Sequence, residues 1–338
     1  MPNTKELRRR IRSVRNMSQI TKAMQMVAAT KMRRAQNQAT AGRPYTTTLH
    51  KAVMALLPKL GDKITHPLIT ANTSGTSAAL VISTDKGLCG SLNTNLFKAV
   101  TKFIKNPGHP ELVEGSVRKS TDSSTSGRND KKPAFYTIGK KGRTFIAKMG
   151  GDLIADFENS DLVTFRTAAQ IGKLVTKAYL NNEIGSFSII YPDFVSALRQ
   201  EPRIMPLLPI SLEEMQSFYD MALADKGTRD TKHETRKEGS LDSRLRGNDK
   251  EEQEEFIFEP NLSELLDFVV THYVSVKIYQ ALLETKASEH SARMLAMQTA
   301  TDNAKELVSD LTLSYNQTRQ AGITNELLEI TSALAALE

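Results

Sequence analysis

The sequence predicts an α/β fold carried on two long terminal helices, and three observations predict it. Residues 261–338 contain no proline and a single glycine, Gly322, and their apolar side chains fall mostly at helical spacing. Such a run forms a helix of roughly 110 Å at 1.5 Å per residue, several times the usual globular length. A second amphipathic helical pattern opens the chain. Between the two, short apolar runs alternate with helical patterns, as in a mostly parallel sheet. No domain within 338 residues has an interior long enough to hide the C-terminal rod, so it must lie against the N-terminal helix or against other chains.

The N-terminal helix occupies residues 1–60. Asn3 followed by Glu6 has the spacing of a capping box, with Asn in place of Ser or Thr. Leu7, Ile11, Val14, Met17, Ile20, Met24 and Val27 recur at three- and four-residue steps as one apolar stripe. The small Ala23, Ala28, Ala29 and Ala35 let a second helix approach closely. Gly42 and Pro44 predict a kink or an end, because proline removes a donor and clashes one turn back. A further helical stretch follows at 46–60. Met24 and Met26 are two residues apart and therefore face different sides, so one of them faces outward.

The α/β domain is expected at 76–212. Strand patterns fall at 79–83, 134–138, 162–165 and 187–191, with helices near 93–104, from Thr144 onward and at 168–180. Together they predict a small Rossmann-like, mostly parallel sheet. Residues 204–208 read as an edge strand, since Pro206 excludes a central place. A connecting segment at 213–260 precedes the C-terminal helix at 261–338, with a last short strand or anchor at 256–258. Two stretches do not belong to this architecture. Residues 114–133 have Val117 as their single large apolar residue, and 225–255 have Leu241 and Leu245 alone. Both are expected to be disordered inserts, unable to bury enough surface to offset ordering entropy. Their ends are alike, Glu114-Gly-Ser and Asn129-Asp-Lys against Glu238-Gly-Ser and Asn248-Asp-Lys, which reads as two in-frame insertions of related elements.

Composition narrows the function. No run of eighteen apolar residues exists to span a bilayer, and the first residues have no apolar signal core, so no cleaved targeting peptide is expected. One cysteine, Cys89, forms no intrachain disulfide, which fits a reducing compartment. The formal charge is +7, concentrated in residues 1–43, where eleven Lys and Arg face one acid, Glu6. So basic a helix needs an acidic partner: nucleic acid, anionic lipid or acidic protein loops. No G-x-x-x-x-G-K-[ST] loop is present. The Gly87-x-x-Gly90 turn lacks the third glycine and downstream acid of a dinucleotide site. Cys89 reads as a small buried hydrophobe. No catalytic, cofactor-binding or metal-ligating residue is assigned, and the function is expected to be mechanical.

Three stretches carry a resemblance to a known family. They are Ile20-Thr-Lys-Ala-Met-Gln-Met-Val-Ala-Ala-Thr-Lys-Met-Arg-Arg-Ala35, Asp85-Lys-Gly-Leu-Cys-Gly-Ser-Leu-Asn93, and Ala287-Ser-Glu-His-Ser-Ala-Arg-Met-Leu-Ala-Met297 with Ala300-Thr-Asp-Asn303. Behind the third come Tyr315-Asn, Arg319-Gln320 and Ile323-Thr-Asn-Glu326. Together they resemble the gamma subunits of rotary F-type ATP synthases over nearly the whole chain apart from the two polar segments.

The resemblance implies that the terminal helices form an antiparallel coiled coil threading a ring of alpha and beta subunits. The α/β domain would sit at the foot, on the proton-conducting membrane ring of c subunits. It implies a non-catalytic rotor shaft that couples proton flow to ATP synthesis or hydrolysis, with the epsilon subunit as a further partner. The expected location is peripheral, on the cytoplasmic side of a bacterial inner membrane, without insertion into it. Lys22, Lys31, Arg33 and Arg34, flanking an Ala/Met surface that includes Met24, would meet acidic loops of beta. Arg293, Arg319, Gln320, Thr324 and Glu326 match positions that the family uses near upper contacts with beta and alpha. Residues 194–203 match its foot region, which touches the membrane ring and epsilon. The alternative is a basic coiled-coil nucleic-acid-binding protein. Against it, the basic stretch carries its own apolar stripe, whereas a groove-reading helix would be polar all round.

Overall fold

The computed structural model describes residues 4–60, 66–70, 72, 75–105, 132–210 and 262–335. The first helix, α1 (Thr4–Leu60), has its acidic Glu6 in the first turn, where a helix N-terminus favours it. It continues through Gly42 and Pro44, so the helix does not end there. Just past the proline, the Tyr45 hydroxyl meets His272 Nε2 at 2.6 Å on the facing helix.

That facing helix is α5 (Leu262–Ala335). Three pairs fix its direction: Thr21 with Thr301 at 2.7 Å, Gln38 with Tyr279 at 3.0 Å, and Tyr45 with His272. Their order reverses between the helices, so the pair is antiparallel. The seam on α1 repeats every seven residues. Leu7, Thr21, Ala28 and Ala35 are buried and Val14 half-buried, the period of a left-handed two-helix supercoil. Across it lie buried Met297, Thr301 and Ala304 and half-buried Val308, Leu311 and Tyr315. This corrects the apolar stripe read from sequence: Met17, Ile20 and Val27 are more than half exposed. The small residues between them make the seam, because close helix approach favours alanine and threonine there.

Between the helices the chain builds five strands: β1 (Thr76–Ile82), β2 (Ala134–Ile138), β3 (Asp152–Phe157), β4 (Ile184–Phe194) and β5 (Gln200–Leu208). Their order is β3-β2-β1-β4-β5, parallel except for β5, which runs antiparallel at one edge. As the prolines required, Pro202 and Pro206 lie in that edge strand. The connecting helices are α2 (Leu92–Lys105), α3 (Lys140–Lys148) and α4 (Phe165–Leu180). Along β1 the side chains alternate. Ala78, Leu80 and Ile82 face a core shared with α4 and α5, while Ala79 and Val81 face α2 and α3. The lower part of α5 is thus an outer layer of the sheet, through Val270, Val274, Ile278 and Leu282. It crosses α4 closely at Gly172, where a Cβ would come within 2.7 Å of Ser275 Oγ.

One strand was misplaced in the sequence reading. Residues 162–165 are not a strand; the Thr164 hydroxyl accepts the Thr167 N–H and caps α4, which begins at Phe165. The strand is β3, whose alternately exposed residues include Asp152 and Asp156. Those charges mask its pattern, yet Asp156 is satisfied by Thr137 Oγ1 at 2.8 Å and Arg143 Nη1 at 3.1 Å. Apart from Lys132 and Pro133, the segments 114–133 and 225–255 lie outside the described residues, as does the strand expected at 256–258.

Candidate functional site

The surface with functional potential begins where the shaft leaves the domain. The loop after β1 is held from within: the Thr84 hydroxyl donates to Lys86 O at 2.8 Å, and Asn93 Nδ2 donates to Thr84 Oγ1 at 2.8 Å and Cys89 Sγ at 3.3 Å. Burial pushes the Cys89 thiol up, so it stays protonated and inert, as the sequence reading expected of it. Against this loop α5 presents Lys286, Glu289 and Arg293, three residues at i, i+3 and i+7. Glu289 accepts from Arg293 at 2.8 Å and lies 3.6 Å from Lys286 Nζ, with all three side chains buried or nearly so.

The triad reaches outward through its cations. Arg293 Nη2 donates to Gly87 O at 3.4 Å, and Lys286 Nζ donates to Asn159 O at 3.5 Å. Asn159 in turn donates to Ser83 O at 2.7 Å. On α1, Lys31 pairs with Asp161 at 2.8 Å, and that hydrogen bond holds the Asp161 carboxyl below its usual range. Gln38 Nε2 donates to Val163 O at 2.9 Å. Burial, with the cations Arg293, Lys286 and Lys31 close by, lowers His290 to about 4 despite the opposing pull of Glu289. His290 is therefore neutral at pH 7. Both helices are clamped to the loops at the carboxyl ends of the parallel strands.

Above the clamp a cleft of about 440 Å³ opens between α1, the β1–α2 loop and α5, lined by Ile20, Met24, Val27, Lys86 and Leu88 among others. Met24 is half-buried in it and Met26 is 61% exposed, so Met26 is the one that faces outward. Lys22, Arg33 and Arg34 are exposed, while Lys31 is half-buried and ion-paired. Lys22 to Arg34 spans roughly 18 Å of helix. Among the described residues Arg8, Arg9, Arg10, Arg12 and Arg15 make no hydrogen bond or ion pair and stand free toward solvent.

Arg319, Gln320, Thr324 and Glu326 are all exposed on α5. They begin roughly 27 Å beyond Thr301 along the helix. The Thr324 hydroxyl donates to its own helix at Gln320 O, 2.9 Å away. Arg293 differs from the rest of its set: it lies in the clamp, its side chain 12% exposed and committed to Glu289 and Gly87. Residues 194–203 do not sit at the foot. Ser291 Oγ donates to Ala197 O at 2.7 Å and Ser288 Oγ to Pro192 O at 3.0 Å, which straps this hairpin to α5 beside Arg293. That is the shaft end of the sheet, far from the start of α5 at Leu262.

Sequence reasoning missed Lys286, Glu289, His290, Asp161 and the Thr21–Thr301 pair. The spacing of Lys286, Glu289 and Arg293 was a usable signal, since i,i+3 and i,i+4 charges on a helix share a face. Asp161 had none, because its partner lies 130 residues away. Among the described residues, no helix is long and apolar enough to cross a membrane.

A family model described as ATP synthase matches residues 3–337. The ATP synthase gamma chain of Methylacidiphilum infernorum (isolate V4) is 40% identical over 342 residues, covering 100% of both chains. That of Opitutus terrae is 38% identical over 338 residues, covering 98% of each. Among solved structures, a chain of the Euglena gracilis mitochondrial ATP synthase, in the OSCP/F1/c-ring assembly at rotational state 3, superposes with a TM-score of 0.59 at 18% identity. That match covers 99% of this chain and 94% of the other. A chain of the Tetrahymena thermophila mitochondrial ATP synthase central stalk and c-ring gives 0.51 at 24% identity, covering 83% and 99%. The two structures share the fold, and nothing in these matches favours nucleic-acid binding. Matched end to end by the family model and by gamma chains at up to 40% identity, the chain belongs to the ATP synthase gamma-chain family.

Proposed function

We propose that this chain is the central rotor shaft of an ATP synthase, turning inside a ring of alpha and beta subunits and resting through its α/β domain on the membrane c-ring. It catalyses nothing itself. The observation that carries the reading is the bare upper shaft. There an antiparallel helix pair rises beyond the described part of the α/β domain, with Met17, Met26 and Lys22 exposed on it, and Ile20, Val27, Arg33 and Arg34 are exposed lower down beside the clamp. Apolar surface of that kind on a strongly basic rod fits a sleeve that supplies both burial and acidic loops.

In this reading Lys22, Met24, Lys31, Arg33 and Arg34 meet acidic loops of beta, and Arg319, Gln320, Thr324 and Glu326 meet the upper part of the ring. Arg293 acts from the clamp, holding the Gly87 loop at the height where beta would touch it. Exposed ion pairs are each worth about 0.2–1 kcal/mol, weak enough to break and reform at every step. A single asymmetric shaft presents a different face to each catalytic site of a threefold ring. Each site's nucleotide affinity is then biased only by its differential contact with the shaft. By reciprocity nucleotide binding biases the shaft angle, so hydrolysis drives rotation. Epsilon is proposed as a further partner on the α/β domain. The proposed location is the cytoplasmic face of a bacterial inner membrane.

The test is co-expression with the other subunits of the complex, membrane sector included, followed by Met24→Lys. The native chain is expected to co-purify in a complex with ATPase activity. The variant is expected to assemble and hydrolyse ATP with less proton transport per ATP, because its ammonium is held near acidic loops. Failure of the native chain to assemble would overturn the rotor reading. Unchanged coupling in the variant would remove Met24 from the contact surface.

A further inference from the structure

Between the clamp and the free tip, the two helices meet through packing that specifies little. The seam there is Ala28, Met297, Ala304 and the half-buried Val14 and Val308. Alanine offers shallow knobs, and methionine adapts to whatever faces it. One polar pair crosses this stretch. Thr21 Oγ1 and Thr301 Oγ1 lie 2.7 Å apart, with the two residues 8% and 3% exposed. Each hydroxyl also reaches a carbonyl of its own helix: Thr21 to Ser18 O at 3.1 Å and Thr301 to Met297 O at 2.7 Å. A hydroxyl carries one proton, so one threonine donates to its own backbone and accepts the other's donation across the seam. Among the described residues, no other side-chain hydrogen bond joins α1 to α5 between positions 14 and 32 of α1. The next one below is Gln38 to Tyr279.

The mechanical consequence follows from geometry. When a two-helix coil is twisted at one end and held at the other, its strands slide axially past each other. Apolar contact has no direction and resists such sliding poorly, whereas a hydrogen bond weakens steeply as its donor and acceptor move out of line. A lone polar pair in an apolar seam is also the best-attested way for a coiled coil to fix its register. Thr21 adjoins Lys22, the first residue of the proposed beta-facing set. Thr301 lies on the helix that carries Arg319 and Glu326. Sliding at this level would change the relative height of the two sets.

We infer that Thr21 and Thr301 form a shear pin that fixes the axial register of the two helices under load, making them positioning residues for the charges above and beside them. The inference rests on the rotor reading and goes beyond it, since a shaft can turn with or without such a pin.

The experiment uses the complex with alpha and beta subunits and compares the native chain with Thr21→Val/Thr301→Val and with Thr21→Ser. Valine matches threonine in shape, and removing both hydroxyls leaves none orphaned. Angular fluctuation of a bead on the α/β domain is recorded while nucleotide stalls the ring, and amide exchange is followed over residues 18–25. The double variant is expected to assemble, to fluctuate over a wider angle and to exchange about fivefold faster, the ratio one ordinary hydrogen bond supports. Thr21→Ser keeps the hydroxyl and is expected to restore native values in both. A double variant with native fluctuation and exchange overturns the pin, and so does a serine variant that behaves like the double valine. If the double variant fails to assemble, Thr301→Val alone gives the same reading, because Thr21 keeps its bond to Ser18 O. Failure of the native complex to rotate overturns the rotor reading instead and is distinguished by its occurring before any substitution.

Discussion

Over residues 269–292, α5 has nearly every side chain enclosed by α1, α4 and the sheet. Over residues 302–332 the same helix buries Ala304 alone and leaves Leu307, Leu313, Ile323, Leu327, Leu328 and Ile330 exposed. Sequence character does not separate the two stretches, since both carry apolar residues at helical spacing. The difference lies in what the chain supplies to cover them. The lower stretch draws its stability from its own domain. The upper stretch displays apolar area that no other described element covers, which fits a surface meant for other subunits. Changes below should therefore read out as stability, and changes above as assembly or coupling.

The sharpest test of that division is Glu289→Ala. It leaves Lys286 and Arg293 buried without their common counter-charge. The expected loss is about 3–5 kcal/mol, seen as a lower denaturation midpoint. If the domain keeps its native midpoint, the clamp is not what joins shaft to sheet. Next in size is a matched pair of cavity variants. Ile278→Ala, at a fully buried site, should cost about 2–5 kcal/mol, and Ile330→Ala, 62% exposed, should stay within about 0.5 kcal/mol in the isolated chain. The reverse ranking would erase the distinction. In complex with alpha and beta, Ile330→Ala should instead weaken assembly.

A pH series sharpens the comparison within the lower stretch. Glu284 is pushed up to about 7, chiefly by burial and then by Asp193, with the Tyr191 and Gln280 hydrogen bonds and Arg203 acting the other way. Burial also pushes the Tyr191 phenol well up, so Tyr191 stays neutral beside it. Folded Glu284 thus keeps a proton that the unfolded chain has lost between pH 4.5 and about 7. In that window the folded state binds more protons, so this group's contribution to stability falls as pH rises. His290 acts in the opposite sense: unfolded it is charged below 6.5, folded only below about 4, so it lowers stability as pH falls across that interval. Glu284→Gln should gain stability over the native chain as pH rises from 4.5 to 7, measured by urea midpoints. A constant difference across the range would contradict the burial argument. The smallest effect is expected from Arg33→Ala/Arg34→Ala, within about 0.5 kcal/mol for the free chain. Its signature is a weaker salt dependence of docking to the ring, since exposed charges act over about one Debye length.

Much of this division was legible in sequence. The proline-free C-terminal run, the basic N-terminal helix and the β1 and β2 patterns carried the architecture, because period and composition are local properties. Three features were not legible. The strand at Asp152–Phe157 was hidden by its aspartates, and the partners of Asp156, namely Thr137 and Arg143, come from β2 and α3. The seam on α1 follows a seven-residue repeat, Leu7, Val14, Thr21, Ala28 and Ala35, whose last three members are too small to stand out beside Met17, Ile20 and Val27. Continuity through Pro44 has no local signal, and the contact just beyond it, Tyr45 with His272, joins residues 227 apart. For the functional surface, sequence found the exposed charges but placed Arg293 among them, because nothing local reveals that Glu289 and Gly87 hold it inside.

The central claim is that the bare upper shaft turns within a ring that covers it. Its most direct test is a complex of this chain with alpha and beta subunits, immobilised through the ring, with a bead on the α/β domain and ATP supplied. The account predicts unidirectional stepping of the bead at low ATP. A complex that hydrolyses ATP while the bead stays fixed in angle would contradict it.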